Sequence, residues 1–141
     1  MVDVAVLIRD YLLTQTSVTS LLGTSNPNEA IYCYALLPEK YDAAKGPAVQ
    51  LVRSGGMSDP EIPELIEARL QVRVWADQQK RTLASQVYGA VHDAIHGLQM
   101  TSLARGTILS SVEVTGAQEG ADPDSSWTFV NSFYTVMARP N

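Results

Sequence analysis

Histidine occurs twice, cysteine once, and charged side chains make up only 18% of the 141 residues. A single cysteine, Cys33, excludes an internal disulfide, and a thiolate metal cluster would need other chains. Ten Lys and Arg against fifteen Asp and Glu give a net charge of -5. That balance excludes a protein that grips nucleic acid through clustered phosphate contacts. An acidic wall past which DNA slides remains compatible with it. The apolar run Val4 to Ile8 is cut by Arg9 and Asp10, too soon for a signal peptide or a membrane span. The chain therefore reads as complete and soluble, with no membrane partner. It also lacks GxSxG, a Walker loop and GxGxxG, and Ala44-Lys45-Gly46 has the wrong order for a phosphate cradle.

Hydrophobic residues are abundant, at 45%. A chain of this size buries roughly 68 to 70% of its unfolded surface, enough for one core without staples. Residues 1–141 thus read as a single domain. The low charge density leaves uncharged surface that a partner could cover.

Asp3 is a candidate cap for a helix whose Val4, Leu7, Ile8 and Tyr11 share one stripe, and Ser17 can start a further turn before Gly23. Ile31 to Leu36 alternates as a strand closed by Pro38, and AVQLVRS after Pro47 is a second. From Gly55 to Glu67 two Gly, two Pro and four acids predict a long loop or extended arm. Leu70, Val72 and Val74 then alternate with Arg69, Gln71, Arg73 and Trp75, a strand with one dry side. Asp77 is a plausible cap for a helix carrying Leu83, Val87, Val91 and Ala94 and ending at Gly97. RGTILSSVEVTG sets Ile108, Ser110, Val112 and Val114 against Leu109, Ser111, Glu113 and Thr115. SWTFVNSFYTVMA follows as a more buried strand, across an exposed connection AQEGADPDSS. The order predicts an α+β fold: an antiparallel or mixed sheet of about 4–5 strands with two helices packed on one face.

The pentapeptide HDAIH sets His92 and His96 at the spacing of a zinc-protease helix. A Glu in second position and a third ligand are missing, since Asp93 stands there and no further histidine exists. Both rings are therefore expected on a polar flank, with no metal, no cofactor and no catalytic residue; a small metal-dependent enzyme is the weaker alternative. The acids of SDPEIPELIE lack the spacing and glycine of a calcium loop and read as solvated charge. Arg69, Arg73 and Trp75 share a sheet face, and Arg and Trp favour interface hot spots. Met57, Ile62 and Leu65 add apolar side chains to the arm, so these six residues form the candidate assembly interface. The alternative is a half-exposed face of snorkelling side chains.

The succession IYCYALLP, GPAVQLVRSGG and LQVRVWADQQKRTLASQVYGAVHDAIHGL resembles the tail-terminator, or tail-completion, proteins of long-tailed bacteriophages and related phage-like particles. The resemblance implies a non-enzymatic virion protein forming a closed ring, usually of six, on the head-proximal end of the tail tube. Such a ring ends tube polymerisation and joins the tail to the head connector. The implied partners are other copies of the chain, the tail-tube protein and a connector or stopper protein, with DNA only as cargo passing through the lumen. The protein would reside in the phage tail or neck, and in the host cytoplasm during assembly. A head–tail stopper, an adaptor or a tail-tube subunit is the neighbouring alternative.

Overall fold

The structure is a computed structural model that describes residues 2–23, 30–33, 41–58, 61 and 64–141. Helix α1 spans Val4–Leu12 and α2 spans Thr16–Thr19. Strand β1 covers Ile31–Tyr32, a 3-10 turn Ala43–Lys45, β2 Ala48–Ser58 and β3 Ile66–Ala76. Helix α3, Arg81–Ile95, precedes β4 (Leu98–Leu103), β5 (Gly106–Ala121) and β6 (Thr128–Arg139). The six strands form one sheet in the order β1-β2-β3-β6-β5-β4. The β1–β2 pair is parallel and the other pairs are antiparallel.

Asp3 caps α1 as its position predicts, accepting a 3.2 Å hydrogen bond from the Val6 amide. Val4, Leu7, Ile8 and Leu12 of this helix are buried in the core. In β3, Leu70, Val72 and Val74 are fully buried, and they meet Val49 and Leu51 of β2 and Val130, Tyr134 and Val136 of β6 in one cluster. Ala84, Val87, Tyr88, Val91 and Ile95 supply the buried stripe of α3. Leu83 and Ala94, expected on the same face, are partly buried and pack against this core. Asp77 does not cap α3, because its carbonyl accepts from the Lys80 amide in a turn that delays the helix to Arg81.

Among the described residues the sheet holds six strands, more than the four or five expected, and three α-helices are present rather than two. Strand β4 is the addition: LQMTSL has no alternation of its own, and pairing with β5 supplies what the side chains do not. The expected loop over Gly55 to Glu67 is strand at both ends, with Gly55–Ser58 in β2 and Ile66–Glu67 in β3. A bulge between Arg53 and Gly55 absorbs the irregularity, and pairing resumes at Gly55↔Arg69 and runs on through Gly56↔Ala68 to Ser58↔Ile66. Only residues 59–65, which hold both prolines, lie between the strands. The connection expected from Ala117 is likewise strand as far as Ala121. Of the strand expected over Ile31 to Leu36, Ile31–Tyr32 forms β1, Cys33 falls outside it, and residues 34–40 lie outside the described residues.

Gly56 has φ +125°, and a Cβ there would collide with the Glu67 carbonyl oxygen and Ala68 Cα. Gly116 has open space around it. Urea unfolding should therefore show Gly56→Ala destabilised by more than about 1 kcal/mol, with Gly116→Ala within about 0.5 kcal/mol of the parent.

Candidate functional site

The two faces of the central strands carry different chemistry. On one, β3 contributes Arg69, Gln71, Arg73 and Trp75, and β6 contributes Phe129, Asn131 and Phe133 opposite them. The Trp75 and Phe129 rings lie 5.3 Å apart, and Trp75 Nε1 donates to Gln50 Oε1 at 3.0 Å. The Arg73 guanidinium sits 4.4 Å from the Phe129 centroid and 5.4 Å from that of Trp75. Its Nε and the Gln71 amide both donate to Asn131 Oδ1, at 3.4 and 2.8 Å. Arg69 covers Phe133 at 4.7 Å. Burial pushes the Arg73 pKa down, while the Asp122 charge pulls it back up.

This ladder changes how the predicted interface residues are read. Trp75 is only 8% exposed and Arg73 is half-buried, so both are largely engaged within the chain. Arg69 is exposed and Leu65 half-buried, whereas Ile62 and the Met57 side chain lie outside the described residues.

On the helix side, a polar cluster joins α3 to β5 and β6. His92 Nδ1 stands 2.8 Å from Glu113 Oε2 and 2.9 Å from the Tyr134 hydroxyl. Tyr88 donates to Glu113 Oε1 at 2.9 Å, and its oxygen lies 3.2 Å from that of Tyr134. Ser132 Oγ is 2.8 Å from Glu113 Oε1 and 2.6 Å from the Thr115 carbonyl. A consistent set of protons has Nδ1–H of His92 donating to Glu113, Tyr134 to Tyr88 and Tyr88 to Glu113, while the one Ser132 hydroxyl hydrogen is shared between its two acceptors. His96 completes the cluster, its Nδ1 accepting from the Glu113 amide at 3.0 Å and its ring stacking on His92 at 4.7 Å and 14°. Burial pushes the Tyr88 and Tyr134 hydroxyls up, so both remain protonated donors at neutral pH.

The sequence offered no third residue beside the two histidines; the fold places Glu113 there, with potential ligand atoms of His92, His96 and Glu113 within 4.8 Å of one another. Glu113 reaches the histidines because a bulge between Ile108 and Ser110 shifts the parity of β5. The set Ile108, Val112 and Val114 is thereby split: Ile108 is buried, while Val112 and Val114 are 46% and 49% exposed. The alternation in the sequence gave Glu113 the right strand and no partner; nothing in it signalled Tyr88 or Tyr134. Elsewhere, Cys33 is half-buried with its thiol against the Ala5 carbonyl at 3.5 Å, and burial raises its pKa to about 11. That places it far from the range of a reactive thiolate.

These features define a small α+β protein with one mixed six-stranded sheet. Residues 6–138 match the family described as tail completion protein gp17, and the chain belongs to that family. It is accordingly a bacteriophage tail completion protein, a structural protein of the virion. Among solved structures, a chain from the virion of a native gene transfer agent (GTA) particle is similar, with TM-score 0.67 and 18% identity over 93% of each chain. At that identity the likeness is one of fold. No curated protein matches the sequence.

The burial of Trp75 separates fold from surface on this face. Trp75→Ala should cost about 3 to 5 kcal/mol in denaturant unfolding, whereas Arg69→Ala should stay within roughly 0.5 kcal/mol.

Proposed function

We propose that residues 1–141 act as one domain that assembles into a closed ring, of six copies, on the head-proximal end of the tail tube. The ring ends tube polymerisation and joins the tail to the head connector, and it does so without catalysis. Family membership across residues 6–138 carries this reading. In it, α1 and α3 back one face of the sheet, and the remaining surface turns toward neighbouring copies, the tube and the connector. Assembly takes place in the host cytoplasm, and the completed ring lets DNA pass. The net charge of -5 suits a lumen that does not hold DNA.

Where the copies meet is suggested by exposed apolar surface. Among the described residues the exposed large hydrophobic side chains are Met100, Val112 and Val114, all on β4 and β5 at one side of the sheet. A contact between unlike surfaces that closes after a fixed rotation gives a ring rather than a filament. Arg69 and Leu65, with Met57 and Ile62, are the second proposed contact, toward the tube or the next copy.

The test is Val112→Asp, which puts a charge on an already exposed position. The variant should melt close to the parent but fail to form rings by native mass spectrometry and negative-stain microscopy. In a complemented phage it should leave intact heads beside unjoined or overlong tails. A folded Val112→Asp protein that makes normal rings and normal particles overturns this contact. Parent protein that never forms a ring, alone or with tube protein, overturns the capping reading itself.

A further inference from the structure

We propose that His92, His96 and Glu113 form a binding site for one divalent transition ion of the zinc class, which would pin α3 to β5. The donor set is two imidazoles and a carboxylate, a combination suited to a borderline ion and not to calcium or magnesium. Potential ligand atoms of the three residues all lie within 4.8 Å of one another. The two histidines sit one turn apart on α3, and the carboxylate comes from a different element, so the ligands span the helix–sheet junction.

The geometry is close to that of a bound state. In a tetrahedral site with bonds of about 2.0 to 2.1 Å, ligand atoms stand roughly 3.3 Å apart. His92 Nδ1 and Glu113 Oε2 are 2.8 Å apart, held by a proton that an ion would displace. His96 already aims the Nδ1 lone pair at Glu113, where it accepts the amide hydrogen. Its ring is exposed and has room to turn toward the ion, giving up that amide hydrogen bond and part of its stack on His92.

The surroundings supply the outer partners that such sites use. Tyr88 and Ser132 fix the second carboxylate oxygen, and the Tyr134 hydroxyl, 2.9 Å from His92 Nδ1, can bind a water on the open coordination position. Tyr134 is fully buried and Tyr88 is 7% exposed, so the support is rigid. The site lies within one chain and stands or falls separately from ring formation.

Untagged, chelator-treated protein should be titrated with zinc chloride in a calorimeter and with cobalt(II) chloride by visible absorption. One equivalent of zinc per chain, a raised melting temperature and the intense visible bands of tetrahedral cobalt are expected. Exposed His96→Ala, which keeps the buried network, should weaken binding at least about tenfold and remove those bands. Val112→Asp should retain the full equivalent whether or not it forms rings. Less than one equivalent bound by the parent, or undiminished binding by folded His96→Ala, overturns the site.

Discussion

Strand β3 is the constraint on which the rest depends. All of its residues pair with β6, from Ile66↔Ala138 to Ala76↔Thr128, and on its other side it pairs with β2 from Ile66 to Trp75. A slip of one residue would drive Arg69 and Arg73 into the core and expel Leu70, Val72 and Val74. Burying two unpaired guanidinium groups is far more costly than any alternative pairing could offset. Register is thereby set across three strands at once, and both faces follow from it.

Each face then solves its own problem. The core face must accommodate Glu113, a carboxylate beside the buried Tyr134, and it does so by surrounding the group with hydroxyls and an imidazole. A partly satisfied network there would be worse than an apolar one. The opposite face lays Arg73 over two aromatic rings, with Asn131 as its hydrogen-bond acceptor, and these contacts stabilise a half-buried cation. Helix α3 and strand β5 are further joined by Arg81 Nη2 and Glu119 at 2.5 Å, an exposed pair that adds little energy but marks the same junction.

Much of this was legible from side-chain period alone. Strand β3 and the helices at Val4 and Leu83 announce themselves, because burial on one side imposes a two-residue or 3.6-residue rhythm. Where the backbone departs from rhythm, legibility fails. The double glycine at 55 and 56 reads as a loop signal, yet positive φ at both residues is what allows β2 to continue past its bulge. The bulge after Ile108 reverses the inward and outward sets of β5, turning Val112 out and Glu113 in. Strand β4 has no apolar alternation to read, and its existence is a property of β5. The polar cluster was hidden for a related reason: its members stand far apart along the chain, and only long-range pairing brings Tyr134 and Glu113 beside His92.

Met100 gives β4 a character that matters beyond this one chain. Its φ of +48° puts a kink in the middle of an edge strand, between the pairs Gln99↔Ser110 and Thr101↔Ile108. A straight edge exposes an unbroken row of amides and carbonyls onto which any other strand can add, and then another onto that. The kink divides that row into two residues before it and three after it. An edge interrupted in this way resists growth by sheet extension into cross-β aggregates, and contacts at this edge are left to side chains, whose shape is more selective than a bare backbone.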